Sequence, residues 1–502
     1  MSFVVSHFVR CLLVSAGIAV GTLCLAAARP DLVLRGTVNG SQNHQYIELP
    51  FDVPDGIKRL TVVFHYTGKE ERTTLDLGLE SPQGFRGWSG GNKDTFTISN
   101  TDATPSYLPG VIGPGKWKVL IGVPNIRPKS ISSFEAQVYF DRGGTLSSFN
   151  DPPLRQEARW YRGDFHMHTG HSDGRCASQT GKDIPCPVFV TLEAAVRRGL
   201  DFIAVTDHNT ISHYDALREL QPYFDKLLLI PGREITTFQG HANLFGITQF
   251  VDFRVGGNTV PDMNALLRTA KRIEAFVSIN HPNAPSAELC MGCGWQPSPG
   301  ADMSLVSAIE AVNGGAEEGP YSGTSFWEKQ LQTGRRITAI GGSDNHHPDW
   351  PLDQTGSVGS PTTVVYAPEL SAPAILEGVR MGHVFVDLTG SSGRLLEVTA
   401  TVGQAKGMMG DVLHAPRGIQ ATVNMHVAGC RGALLRVSLD NQMTPPWRLD
   451  KIGGDDQTFN FTWPSDGRYH WFRADVIALD GKLQLLGNPI YLNDQAIPAA
   501  GQ

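Results

Sequence analysis

The chain has 502 residues, of which 41% are hydrophobic and 18% charged, and it carries a net charge of −7. The length predicts about two to four domains, and the composition is globular, which excludes a disordered or fibrous chain. The acidic balance argues against a nucleic-acid binder, so no duplex partner is expected, while a small anionic substrate stays open because bound metals supply positive charge locally.

Residues 1–28 read as a secretory signal. Arg10 forms a positive start, CLLVSAGIAVGTLCLA an apolar core, and Ala26-Ala27-Ala28 a small-residue cleavage zone. A membrane anchor is the alternative, since the apolar run is marginally long enough to span. The expectation is a periplasmic or secreted protein with no stable membrane insertion after cleavage. Five cysteines then remain: Cys176, Cys186, Cys290, Cys293 and Cys430. An oxidising compartment permits disulfides. Cys176 and Cys186 flank one loop, and Cys290 and Cys293 form a CxxC in another. A structural zinc needs four ligands and no second CxxC exists, so loop-stapling disulfides are expected, with unpaired thiols or a cross-loop pairing as the alternatives and Cys430 as a buried free thiol.

Residues 29–151 alternate in period two through RLTVVFHYTG, TTLDLGLESP, GKWKVLIGVPN and SSFEAQVYF, with Gly, Pro and Asn between them. This predicts an all-β sandwich. Trp88 and Trp117 are core residues or a carbohydrate-binding platform. A polar linker, GGTLSSFNDPPLRQEARW, follows. Across residues 158–392, strand-like and helix-like runs alternate. TLEAAVRRG, HYDALRELQPYF, MNALLRTAKRI, FWEKQLQTG and PAILEGVRMG carry helical spacing. The alternation predicts βα units, a parallel sheet and, with about seven strands, a closed barrel. Residues 393–497 return to period two and predict a second all-β domain.

The motif that carries chemistry opens the central region: GDFHMHTGHSDG, Gly163–Gly174. In a strand, His166 and His168 face one side while Phe165 and Met167 face the other, and Asp173 sits in a turn that can fold back towards them. A lone HxH means little. Later apolar runs, however, also end in ligand-type residues: LDFIAVTDHN in Asp207 and His208, LLLIPGREIT in Glu234 with His241 seven residues on, AFVSINHP in His281, and ITAIGGSDNHH in Asp344, His346 and His347. Nine of the sixteen histidines lie between His166 and His347. Parallel α/β barrels place their chemistry at the carboxyl ends of the strands, and imidazole with carboxylate suits Zn, Mn or Fe.

In the order HxH, SDG, TDH, GxE, H, NHP and SDxH, these blocks resemble the PHP (polymerase and histidinol phosphatase) superfamily. The GxE block before GHANLFGI, the IEAVNGG run and the ending GNPIYLN most resemble its CehA/McbA-like branch. The resemblance implies a distorted (β/α)7 barrel flanked by two sandwich-like domains, and two or three divalent metal ions. It implies that His166, His168, Glu234 and Asp344 hold one ion, that Glu234 bridges to a second held by His241 and His281, and that Asp173, His208 and His346 hold a third. The chemistry expected is ester hydrolysis by a hydroxide shared between metals, on phosphoesters or on the carboxylic or carbamic esters of that branch. A non-catalytic metal-containing binding protein is a further alternative. Glu234 and Asp344 are the central catalytic residues, His171 and His347 the candidates for leaving-group protonation, and Arg175, Lys182, Arg233 and His171 the candidates for holding phosphate. Asp207 either orients a ligand or caps a strand end. The expected partner is a small-molecule ester or phosphoester; no protein partner is inferable.

Overall fold

The computed structural model describes residues 29–142, 152–290, 292–316, 318–440 and 449–493. The expected signal segment lies outside the described residues, as do 143–151 and 494–497 at the ends of the two β modules. Among the described residues no helix is long and apolar enough to cross a membrane.

The N-terminal module is a sandwich of two antiparallel four-stranded sheets. Alternation builds it: in Arg59–Tyr66, Leu60, Val62 and Phe64 are buried and the residues between them turn outward. Trp117 is fully buried and donates its ring N–H to the Gly113 carbonyl (3.0 Å), so it is a core residue and not a sugar platform. The module rests on the central region through the Ala103 N–H, which donates to Asp215 (3.0 Å).

The central strands are β1 (Arg159–Asp164), β2 (Phe202–Val205), β3 (Leu228–Thr237), β4 (Gly240–Phe245), β5 (Phe276–Ile279), β6 (Ala308–Asn313), β7 (Thr338–Gly342), β8 (Thr362–Ala367) and β9 (Val384–Asp387). Their helices are α1 (Val188–Arg198), α2 (Tyr214–Leu220), α3 (Met263–Arg272), α4 (Thr324–Gln332) and α5 (Ala372–Arg380), one on each of the five segments with helical spacing.

The expected (β/α)7 barrel does not form. Of the described residues 42% are in strands and 12% in helices, with five α-helices among them. The central sheet runs β7-β6-β5-β4-β3-β2-β1-β8-β9. It is parallel over β1-β2-β3 and over β5-β6-β7, but β4 is antiparallel to both its neighbours, and β8 and β9 run antiparallel. The physical reason lies at Thr237–Gly240, a tight turn between β3 and β4. A crossover to a parallel strand needs a dozen or more residues, whereas a short turn permits only a hairpin. Both strands are wholly or nearly buried, so they read as apolar runs and their direction is invisible to periodicity. The curl of the sheet brings β7 to β8 through side chains: the Thr363 hydroxyl accepts from the Gly341 N–H (2.8 Å) and donates to its carbonyl (2.7 Å).

Beyond β9 the same sheet continues into Leu483–Gly487, His470–Ile477, Leu434–Leu439 and Leu449–Lys451. A separate four-stranded sheet of Leu395–Val402, Ala405–Met408, Gln420–Ala428 and Asp456–Pro464 packs against this extension, with Val398, Met425, Phe472 and Leu485 in one core. The C-terminal sandwich thus borrows one layer from the central sheet. Arg473 fastens the two regions. It is buried, pairs with Glu328 of α4 (2.7 Å) and with Asp475 (3.1 Å), and lies over the Trp327 ring. Removing one partner of a buried pair strands the other charge. Arg473→Ala is therefore expected to destabilise the central and C-terminal regions together by about 3–5 kcal/mol, seen as a common shift of their unfolding transition in urea.

Candidate metal centre

β1 ends at Asp164, whose buried carboxylate accepts from the backbone N–H of His166 (3.1 Å), Ser343 (3.0 Å) and Gly359 (2.8 Å). This ties the loop after β1 to the loops after β7 and before β8. The HxH pair therefore lies just past the strand, not within it. The alternation persists: Phe165 and Met167 enter two apolar clusters, while His166 and His168, both fully buried, turn to the other side.

Glu234 lies on β3 at the centre of what gathers there. Its Oε2 is 2.8 Å from His208 Nδ1, 3.4 Å from His166 Nε2 and 3.6 Å from His168 Nε2. Its Oε1 is 3.1 Å from His241 Nδ1 and 3.4 Å from His281 Nε2, and accepts from Asn280 Nδ2 (2.9 Å). The two oxygens of one carboxylate thus face two groups of imidazoles. Asp344 Oδ1 is 3.1 Å from His168 Nε2 and 3.3 Å from His166 Nε2. Asp173 Oδ1 stands 3.4 Å from His346 Nε2 and 3.6 Å from His208 Nε2. All nine expected ligands therefore fall in one connected cluster at the strand ends. Asp344 (φ 51°) and His281 (φ 26°) hold left-handed backbone there, a conformation that non-glycine residues sustain only where the surroundings impose it.

The cluster fits divalent ions. His166 Nε2, His168 Nδ1, His241 Nε2 and His281 Nδ1 are buried without a hydrogen-bond partner, whereas most buried polar atoms in folded proteins are paired. The donor atoms of His166, His168 and Asp344 lie within 4.8 Å of one another, as do those of His166, Glu234 and His281, and those of His168, Asp173, His208 and His346. Burial opposes ionisation of Glu234, but His166, His208 and His241 outweigh it and hold the carboxyl well below its usual range. Asp344 is held low in the same way by His166 and His168. Burial lowers His168, to about 4, so it is a neutral donor. His208 moves the other way, to about 9, because Glu234 and Asp173 outweigh its burial.

A second layer aims these groups, and its main member was not among the expected site residues. Glu310, on β6, sets Oε1 against His166 Nδ1 (2.9 Å) and accepts with Oε2 from the His281 N–H (2.9 Å) and Asn313 Nδ2 (3.1 Å). Asn313 also donates to Asp344 Oδ2 (3.1 Å). A register shift between Glu310 and Val312 puts residues three apart on one face. Gly342 makes room: a Cβ there would lie 2.4 Å from both Glu310 Oε1 and His166 Cβ. The available signal was an acid and an amide inside the apolar run SAIEAVNGG.

The remaining expected residues make other contacts. Asp207 holds no ligand; it accepts from the Thr169 N–H (2.8 Å) and hydroxyl (2.7 Å) and from Ser172 (2.6 Å), shaping the turn that carries Asp173. His171 hydrogen-bonds Ser212 (2.7 Å), and His347 stacks on Trp350 with ring centres 5.2 Å apart. Arg175 is bonded to Asp183, Lys182 is exposed, and Arg233, one residue from Glu234, points to the opposite face of β3 under Phe250.

Two expectations follow. Glu310→Gln keeps the shape but removes the charge behind His166, and should weaken metal binding by about 10–100-fold with the fold intact, as chelator competition would show. Protons and ions also compete for His208. Its pKa is raised, so its charge stabilises the metal-free protein fully below about 6.5, and that contribution is lost as pH rises through about 9. Manganese affinity should accordingly climb over that interval, measured by titration at several pH values.

No family model matches the chain, and no curated protein matches it. Among solved structures it is similar to a two-domain protein from Bacteroides vulgatus containing a predicted PHP-like metal-dependent phosphoesterase. The two are 20% identical, the match covers 68% of this chain and 98% of that one, and the TM-score is 0.37.

Proposed function

We propose that the protein is a metal-dependent hydrolase of ester bonds, acting on phosphoesters and related to the CehA/McbA-like branch of the PHP superfamily. One observation carries this: the two oxygens of Glu234 face separate imidazole groups, the layout of a carboxylate shared by two cations. His166, His168, Glu234 Oε2 and Asp344 would hold one ion; Glu234 Oε1, His241 and His281 a second; Asp173, His208 and His346 a third. Manganese, zinc or iron bound there would supply an activated water and neutralise charge on the ester oxygens.

The chain's own residues do the rest. Asn280 and Glu310 fix the directions of Glu234, His166 and the His281 backbone. His166, His168 and Glu234 are fully buried, which strengthens the electrostatic attraction among them. His171 and His347, each one or two residues from a ligand, are assigned to leaving-group protonation. Export is part of the proposal, resting on the leader-like first 28 residues and the disulfides Cys176–Cys186 and Cys290–Cys293.

A second reading, hydrolysis of carboxylic or carbamic esters, is favoured by the placement of the cations. Arg175 is engaged with Asp183 and Arg233 faces away, so neither is turned to a phosphate dianion. A screen of chromogenic phosphomonoesters, phosphodiesters and carboxylic and carbamic esters with manganese- or zinc-loaded protein separates the two. Phosphoester turnover is expected; turnover of carboxylic or carbamic esters alone would replace it with the second reading. Glu234→Gln should cut turnover by about a hundredfold or more, as a loss of several kcal/mol implies, and should lower bound metal. A variant with full metal and near-normal turnover would overturn the assignment.

A further inference from the structure

We propose that Cys293 is a redox-gated cation ligand, joining His241 and His281 when the Cys290–Cys293 disulfide opens. This rests on the reading of those histidines as metal ligands. The Cys293 sulfur and one nitrogen from each of His241 and His281 lie within 4.8 Å of one another, and all three residues are buried. His241 Nε2 and His281 Nδ1 have no hydrogen-bond partner. Two buried imidazoles and a sulfur would supply three of the four ligands of a tetrahedral zinc site.

The loop holds Cys293 in place independently of the disulfide. The Trp295 N–H donates to the Pro282 carbonyl (2.9 Å) and the Gln296 N–H to the Gln239 carbonyl (2.9 Å), which fastens the loop to the His281 segment and to the β3–β4 turn. Trp295 packs on Gly240, where a Cβ would lie 2.6 Å from its ring. Gly292, at φ +91°, passes so close to the turn that a Cβ would lie 2.4 Å from the Thr237 carbonyl oxygen. Breaking the S–S bond therefore leaves the Cys293 sulfur beside the two histidines.

The chemistry is complete with a dithiol reductant. Its thiolate attacks the Cys290 sulfur, which is the less buried of the pair and follows the exposed Leu289. The S–S bond breaks, a mixed disulfide forms at Cys290, and Cys293 leaves as a thiolate. The reductant's second thiol then displaces Cys290 as a thiol, and the reductant departs as a disulfide. Two electrons pass to the pair; one proton goes to Cys290, while Cys293 takes a cation where the second proton would bind. A disulfide sulfur is a weak donor, whereas a thiolate is a soft, strong one that favours zinc or cobalt over manganese. The disulfide spans only three residues of sequence, so opening it releases little chain entropy. The redox state thus selects the ion.

Cobalt(II) is the probe, because a cobalt–thiolate bond absorbs in the near ultraviolet and visible bands report cobalt binding separately. Oxidised wild type should show the visible bands alone, and reduced wild type both. Cys290→Ser should show both without reductant. Cys293→Ser should show only the visible bands even when reduced, which removes the contributions of Cys176, Cys186 and Cys430. Zinc retention against a chelator should rise by about tenfold or more on reduction, since a direct ligand is worth at least what its supporting partners are. Thiolate absorption that persists in Cys293→Ser, or is absent from both reduced wild type and Cys290→Ser, overturns the proposal while leaving the metal centre standing. Absence of the visible bands in every form would overturn both.

Discussion

A buried carboxylate whose nearest partners are imidazoles sets the terms for the whole centre. Glu234 is fully buried and held ionised. Removing such a charge from water costs several kcal/mol unless something compensates it. Among the described residues, its one close side-chain hydrogen-bond donor outside the histidines is the neutral Asn280 amide. Without ions the compensation comes from protons on the imidazoles, which is why His166 and His208 are pushed up while Glu234 and Asp344 are pushed down. Divalent ions held by these residues would replace those protons with a fixed charge. The same cluster is thus a poor home for bare side chains and a good one for metals.

The scaffold serves that constraint from outside inward. Asp164 ties three backbone segments together without touching a ligand side chain, and Asp207 does the same for the turn leading to Asp173. Glu310 connects His166, His281 and, through Asn313, Asp344. A ligand raised on one strand is thus aimed by a residue from another, and the left-handed backbone at His281 and Asp344 is held by these cross-ties.

The ligands were legible in the sequence because each ends or follows an apolar run, where a charged residue has no packing role. The sandwich was legible because one-sided burial writes period two into strands such as Arg59–Tyr66. Strand direction was not. Strands β3, β4 and β5 are nearly all buried, and an apolar run reads the same whether its neighbour runs parallel or antiparallel. Only the brevity of Thr237–Gly240 distinguishes a hairpin there. Glu310 was hidden for a different reason: its alignment with Asn313 depends on a bulge that the spacing does not announce.

The continuous sheet from β7 to Leu449–Lys451 also bears on how this chain can be divided. A cut near residue 393, where the composition changes, would strip Leu483–Gly487 from β9 and leave its N–H and C=O groups without partners. It would also expose Phe385 and Val364, which are buried against the C-terminal sandwich. A bare, flat, apolar strand edge recruits other chains. The C-terminal module is therefore a built-in cover for that edge, and the central region has no natural boundary there at which it could be inherited, expressed or evolved alone.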